Sequence, residues 1–223
     1  MIEILLRYWP EFLSGLKITL QLTLVGLGVG SVLGMLAALG RLYGSRWIRW
    51  LAIGYIELFR GTPLLVQLFA IYFGLPDFGV TVSRMQAALI VLAINSGAYQ
   101  AEYFRGAIQA IGSGQMMAAR SIGMSRWQAI RHIILPQALR VVIPAWSNEP
   151  VSLLKASAVV FLIAVPDVMT QAKIVAARTY QPLPSYFIVA FIYLIVVYAL
   201  STLLNRIERR YRIPGLEVES HRT

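Results

Sequence analysis

Five stretches of this chain, roughly 16–39, 53–74, 85–104, 138–164 and 185–205, are each about 20 or more mostly apolar residues long. That length at the helical rise of about 1.5 Å per residue matches the hydrocarbon core of a bilayer. The fold this predicts is an all-α integral membrane protein with five transmembrane helices, organised as a single domain over 1–223. The composition agrees: hydrophobic residues make up 58% and charged residues 13%, where a soluble domain carries about 25% charged. Mean hydropathy is +0.67. The segment Met1 to Pro10 has no basic start and no small-residue cleavage site. The first span is therefore expected to act as its own insertion signal.

The net charge of +10 does not require a nucleic-acid partner, because its distribution follows membrane topology. Arg41, Arg46 and Arg49 follow the first span. Arg105, Arg120, Arg126, Arg131 and Arg140 fill the long connection after the third, and Arg206, Arg209, Arg210 and Arg212 the tail. The opposite side holds Arg7, Lys17, Arg84, Lys173 and Arg178. Basic residues accumulate on the cytoplasmic side. This predicts an outside N-terminus, a cytoplasmic C-terminus and a cytoplasmic loop over about 106–136, which an odd number of spans satisfies.

That loop is polar and patterned as helix. Ser125-Arg126-Trp127-Gln128 has the spacing of a capping box, and Gly123 breaks the helix before it. Two short helices with a hinge at Gly123, ended by Pro136, are expected. An organised loop outside the bilayer suggests a docking partner.

Inside the spans, polar side chains are costly and mark pathways or internal pairs. Gln67 lies roughly 18 Å from a boundary near Tyr55, Asn95 roughly 15 Å from Arg105, and Asn148 roughly 12 Å from Arg140. Three spans thus bring polar groups to one level, where transporters commonly hold substrate. Pro144 and Pro150 flank Asn148 and Glu149, so the fourth span is expected to break there, with carbonyls near Ile143 to Ser147 freed. Glu149 either lines a wet cavity or pairs with Lys155 or Arg60. Glu57 and Arg60, three residues apart, are expected to form a local ion pair. Gly26, Gly30 and Gly34 recur every four residues and predict a close helix-packing face.

Several chemistries find no support in the pattern. Cysteine is absent, which removes disulfides and thiolate ligands. His132 and His221 have no ligand-spaced partners, so no metal site is expected. No Ser-His-Asp set, paired carboxylates or phosphate-binding loop is readable, so ATP would have to be used by another subunit. The chain is not expected to be an enzyme or to hold a cofactor. A self-sufficient channel or proton-coupled carrier, or a scaffold subunit, remains open on the residues alone.

The loop spacing also resembles a known signature. Ala118-Ala119, Gly123, Ile133 and Leu135-Pro136 resemble the coupling motif of ABC importer permeases, with Met117 standing where that family usually has Glu. Phe59-Arg60-Gly61-Thr62-Pro63-Leu64-Leu65-Val66-Gln67-Leu68 and Gly97-Ala98-Tyr99-Gln100-Ala101-Glu102 resemble permeases for polar amino acids. Ser147-Asn148-Glu149, Ala177-Arg178-Thr179-Tyr180-Gln181-Pro182 and Ile207-Glu208-Arg209-Arg210-Tyr211 resemble the histidine and arginine branch. The resemblance implies a type I importer permease core in a bacterial inner membrane. It implies a second permease subunit, an ATP-binding cassette subunit that uses the ATP, and an extracytoplasmic amino-acid-binding protein. Met117, Ala118, Ala119, Gly123, Arg126 and Arg131 would then face the ATPase, and Glu149, Asn148, Asn95 and Gln67 a polar, basic amino acid.

Overall fold

The computed structural model describes residues 1–211, all helix and connecting turns. Arg212 and His221 lie outside the described residues. The chain opens with α1 (Ile2–Tyr43), kinked at Tyr8 two residues before Pro10. Then come α2 (Arg46–Gly61), α3 (Leu64–Phe69) and α4 (Arg84–Ala110). The loop region contains α5 (Ser113–Ser121), α6 (Arg126–Ala129) and α7 (Leu135–Val141). The broken segment is α8 (Ile143–Trp146) and α9 (Glu149–Ala156), followed by α10 (Val168–Thr179) and α11 (Pro182–Tyr211).

The central contact is α1 along α4, and the glycine stripe explains it. A Cβ on Gly34 would lie 2.8 Å from the Gly97 carbonyl and 2.9 Å from the Ala101 nitrogen. A Cβ on Gly30 would lie 3.0 Å from the Gln100 side-chain nitrogen. Only glycine allows the two backbones to approach so closely and leaves room for the Gln100 amide. Around this seam, Leu22, Leu68, Val91, Leu92, Leu153 and Val160 form one buried cluster. Phe12, Val168, Val175 and Ile188 form a second where α10 meets α1 and α11. Ala38, Phe104, Ile108, Ile134, Ala138 and Val142 form a third beneath the loop helices.

The second predicted span is not one straight helix. It bends by 108° between Gly61 and Leu64, at Thr62-Pro63, because proline disfavours helical backbone in the residue before it. Beyond α3 the backbone widens over Ala70–Gly74 and tightens over Leu75–Phe78. Among the described residues, α1 and α11 are long and apolar enough to cross a membrane alone, and two bent pairs raise the number to four. By length and composition two to four spans are supported among the described residues, and the expected count of five is not reached by this measure. α4 is 27 residues long, but Asn95, Ser96, Gln100 and Glu102 dilute its apolar character.

The loop holds one expectation and corrects another. Gly123 has φ +87, a left-handed conformation between α5 and α6. Ser125 and Gln128 complete the capping box: Gln128 N donates to Ser125 Oγ at 3.2 Å, and Ser125 N to Gln128 Oε1 at 2.7 Å. Pro136, however, does not end the helix. The turn before it widens into a π-helical turn over Ile130–Ile134, and the helix continues through α7. Widening the turn upstream accommodates the proline ring, which would otherwise strike the carbonyl four residues earlier. The fourth span is broken as expected, into α7, α8 and α9. The Ile143 carbonyl is not freed: it accepts from Ser147 N at 2.9 Å and Ser147 Oγ at 2.7 Å.

Candidate functional site

A cavity of about 540 Å³ opens where α2, α3, α4 and α9 meet. Its polar lining is Arg60, Thr62, Asn95, Tyr99, Tyr103, Glu149 and Ser152. Helical periodicity assembles it. Asn95, Tyr99 and Tyr103 stand four residues apart on one face of α4, while Glu149, Ser152, Leu153 and Ala156 share one face of α9. The break at Ser147 and Asn148 starts α9 at Glu149 and so places the carboxylate in the wall. Cavities in this volume range hold small molecules in other proteins, and the volume is enough for an amino acid.

Glu149 is 5% exposed. Its Oε1 accepts a hydrogen bond of 2.7 Å from Ser96 Oγ. Among the described residues no ion pair joins it to Lys155 or Arg60. Nor do Glu57 and Arg60 form the expected local pair; both are exposed, and the Arg60 guanidinium instead stands over the Tyr99 ring, 5.4 Å from its centroid. The charge on Arg60 is thereby held at the cavity wall rather than neutralised within its own helix.

Asn95 and Gln67 come together, as their shared depth suggested. Asn95 Nδ2 donates to Gln67 Oε1 and to the Phe59 carbonyl, both at 3.1 Å. Gln67 Nε2 donates to the carbonyls of Phe59 and Thr62 and to Thr62 Oγ1 at 2.9–3.0 Å. The bend between α2 and α3 exposes those carbonyls, and the two amides cover them. Asn95 also lines the cavity; Gln67 lies behind it. Asn148 is exposed and lies outside the lining.

Arg60, Thr62, Tyr99, Tyr103 and Ser152 were not singled out as ligand-facing from the sequence. The four-residue spacing of Asn95, Tyr99 and Tyr103 carried a signal for two of them. Arg60, Thr62 and Ser152 enter only because the α2–α3 bend and the α9 break turn them to a common space. At the far end of α4, Glu102 accepts from Arg41 Nη1 at 2.5 Å and Arg105 Nη2 at 2.7 Å, pinning the end of α1 to α4.

On the loop, Met117, Ala118, Gly123, Arg126 and Arg131 are exposed, while Ala119 packs inward. Ile122 and Trp127 add apolar surface at 78% and 60% exposure. The Arg126 guanidinium lies 5.2 Å from the centroid of the Tyr43 ring, holding α6 against the end of α1. Among the described residues no group of His, Cys, Asp and Glu could hold a metal ion.

Residues 30–213 match the family of binding-protein-dependent transport system inner membrane components. The chain is 37% identical over 209 residues to the probable amino-acid ABC transporter permease protein YckA of Bacillus subtilis (strain 168), covering 94% of this chain and 92% of that one. It is 36% identical over 228 residues to the histidine/lysine/arginine/ornithine transport system permease protein HisM of Escherichia coli (strain K12), covering 95% and 96%. A solved amino acid ABC transporter crystallised with histidines superposes with a TM-score of 0.86 at 43% identity, covering 92% of this chain and 96% of that one. Family match, relatives and superposition agree with one another, and the chain belongs to the binding-protein-dependent transport system inner membrane components as a permease of an amino-acid ABC transporter.

Proposed function

We propose that this permease passes cationic amino acids of the arginine, lysine and histidine type, with Glu149 as the counter-charge. The observation that carries this is a carboxylate 5% exposed in the wall of an amino-acid-sized cavity, with no cationic side chain paired to it among the described residues. A buried carboxylate without a cationic partner is costly, and a ligand ammonium, guanidinium or imidazolium offsets that cost. Asn95 offers hydrogen bonding from the same wall. Gln67 supports Asn95 from behind, and Asn148 would reach a ligand only after a rearrangement of the break. The relatives named for histidine, lysine, arginine and ornithine transport support the same substrate class.

In this reading the subunit pairs with a second permease, carries ATP-binding cassette subunits beneath the loop helices, and receives substrate from an extracytoplasmic binding protein. ATP is used by the cassette subunits, and this chain needs no cofactor of its own. The exposed surface of Met117, Ala118, Gly123, Arg126 and Arg131 would meet the ATPase. Ala119, buried, would support it from within. The N-terminus would be outside and the C-terminus cytoplasmic.

The deciding experiment is Glu149→Gln in the assembled transporter. The change is nearly isosteric, so packing is retained. Leaving a cationic ligand unpaired in a buried site costs on the order of 3–5 kcal/mol, so uptake of arginine, lysine and histidine should fall sharply while assembly persists. A well-expressed variant with unchanged uptake of all three would eliminate the counter-charge role.

A further inference from the structure

Behind the cavity wall, a second stripe of α4 carries Ser96 and Gln100, both fully buried and four residues apart. They form a chain of hydrogen bonds that ends on Glu149. Trp146 Nε1, on α8, donates to Gln100 Oε1 at 2.7 Å. Gln100 Nε2 donates to the Leu27 carbonyl of α1 at 3.2 Å and to Ser96 Oγ at 2.9 Å. Ser96 Oγ then donates to Glu149 Oε1 at 2.7 Å. Ser31 Oγ stands 2.6 Å from Gln100 Oε1 and 2.8 Å from the Leu27 carbonyl, with one proton to give to either.

The direction of this chain follows from chemistry. An indole N–H can only donate and a backbone carbonyl can only accept. Gln100 must therefore turn its oxygen to Trp146 and its nitrogen to Leu27, so its amide cannot flip without losing both bonds. With that orientation held, the remaining amide proton points at Ser96, which accepts it. The single Ser96 proton is then directed at Glu149. A donor aimed at Oε1 fixes the orientation of the carboxyl group in the cavity wall.

We propose that Trp146, acting through Gln100 and Ser96, is a positioning residue that holds the Glu149 carboxyl group in one orientation at the cavity wall, and so sets the cavity's preference for a cation over a neutral ligand of the same shape. The proposal rests on the counter-charge role of Glu149 given above. The charged and titratable groups that share the cavity with Glu149 are Arg60 from α2 and Tyr99 and Tyr103 from α4. None of them belongs to the relay. Without the indole donor, only the Leu27 carbonyl and the Ser31 hydroxyl hold the Gln100 amide, so a flip that presents its oxygen to Ser96 loses one bond fewer. Ser96 then donates to Gln100, and Glu149 loses its Ser96 donor although it sits three hydrogen bonds away from the substitution.

The test uses the assembled transporter in proteoliposomes, with labelled arginine as substrate and citrulline, its uncharged near-isostere, as competitor. Trp146→Phe and Ser96→Ala should each reduce the arginine-over-citrulline preference by roughly tenfold, the scale of one lost hydrogen bond to a charged group. Ser96→Thr, which keeps the hydroxyl, should retain the wild-type preference. In the Glu149→Gln background, Trp146→Phe should have no further effect on that preference, because the relay acts only through the carboxylate. If Glu149→Gln lowers the preference but Trp146→Phe and Ser96→Ala leave it at the wild-type value, the relay is overturned and the counter-charge role stands. The relay is also overturned if Trp146→Phe and Glu149→Gln act additively. If Glu149→Gln itself leaves the preference unchanged, the counter-charge role fails, and the relay with it. Should Trp146→Phe fail to assemble, Ser96→Ala against Ser96→Thr decides the matter alone.

Discussion

Asn95 Nδ2 donates to Gln67 Oε1 at 3.1 Å, and both amides donate to the Phe59 carbonyl. A bend of 108° in an apolar environment strips backbone carbonyls of their helical partners, and two side-chain amides from different helices replace them. Polar residues that mark a ligand level in the sequence thus also hold the scaffold around it.

Replacing Gln67 separates those roles. Gln67→Leu removes the donors to the Phe59 and Thr62 carbonyls and the acceptor for Asn95. Each buried group left unpaired costs about 1–3 kcal/mol. Thermal unfolding of the detergent-solubilised protein should shift down measurably, and the yield of folded protein should fall. An unchanged melting profile would show that the amide does not hold the bend.

The α1–α4 seam gives a sharper contrast. Gly34→Ala places a methyl 2.8–2.9 Å from backbone atoms of Gly97 and Ala101, which cannot move independently of their helix. Such overpacking costs about 1–3 kcal/mol. Gly28→Ala, on the same helix with nothing within 4 Å, should be neutral or stabilising, since glycine is the poorer helix former by about 1 kcal/mol. Melting temperatures of the two variants measured side by side should move apart.

Gly123 isolates backbone conformation from contact. A Cβ there meets nothing within 4 Å, yet φ is +87. A β-branched residue in that conformation costs about 1–2 kcal/mol, so Gly123→Val should disturb the α5–α6 hinge without touching the core. The expected result is a membrane-inserted protein that retains less ATPase subunit on co-purification, with Gly123→Asn nearer to wild type. Equal retention in Gly123→Val would count against this segment as the docking element.

Topology can be read by labelling, because the chain has no native cysteine. Ser113→Cys and Tyr180→Cys place thiols at exposed positions; Thr170, nearby, is only 8% exposed and would be a poor probe. An impermeant thiol reagent added to intact cells should label position 180 and not 113. The opposite pattern would invert the proposed orientation.

Much of this molecule was legible in the order of its residues. Apolar length announced the membrane helices, the spacing of Ser125 and Gln128 the start of α6, and Pro144 and Pro150 the break before Glu149. The Gly26, Gly30 and Gly34 stripe announced the tight seam. Each of these rests on local geometry, where a few covalently neighbouring residues decide the outcome. Pairings between helices did not have that property. Glu57 and Arg60 are correctly spaced for an ion pair, yet Arg60 stands over Tyr99 and Glu57 is left exposed without it. Glu102 reaches Arg41, 61 positions away, and Trp146 reaches Gln100, 46 positions away. Pro136 stops a helix by local rules, but a widened turn upstream lets it run on. The sequence by itself determined the long apolar helical segments, the start of α6 and the break before Glu149. Only the tertiary structure decided which polar groups face the cavity and which face each other, because that depends on helix rotation and on bends whose angles are set by packing across the whole molecule.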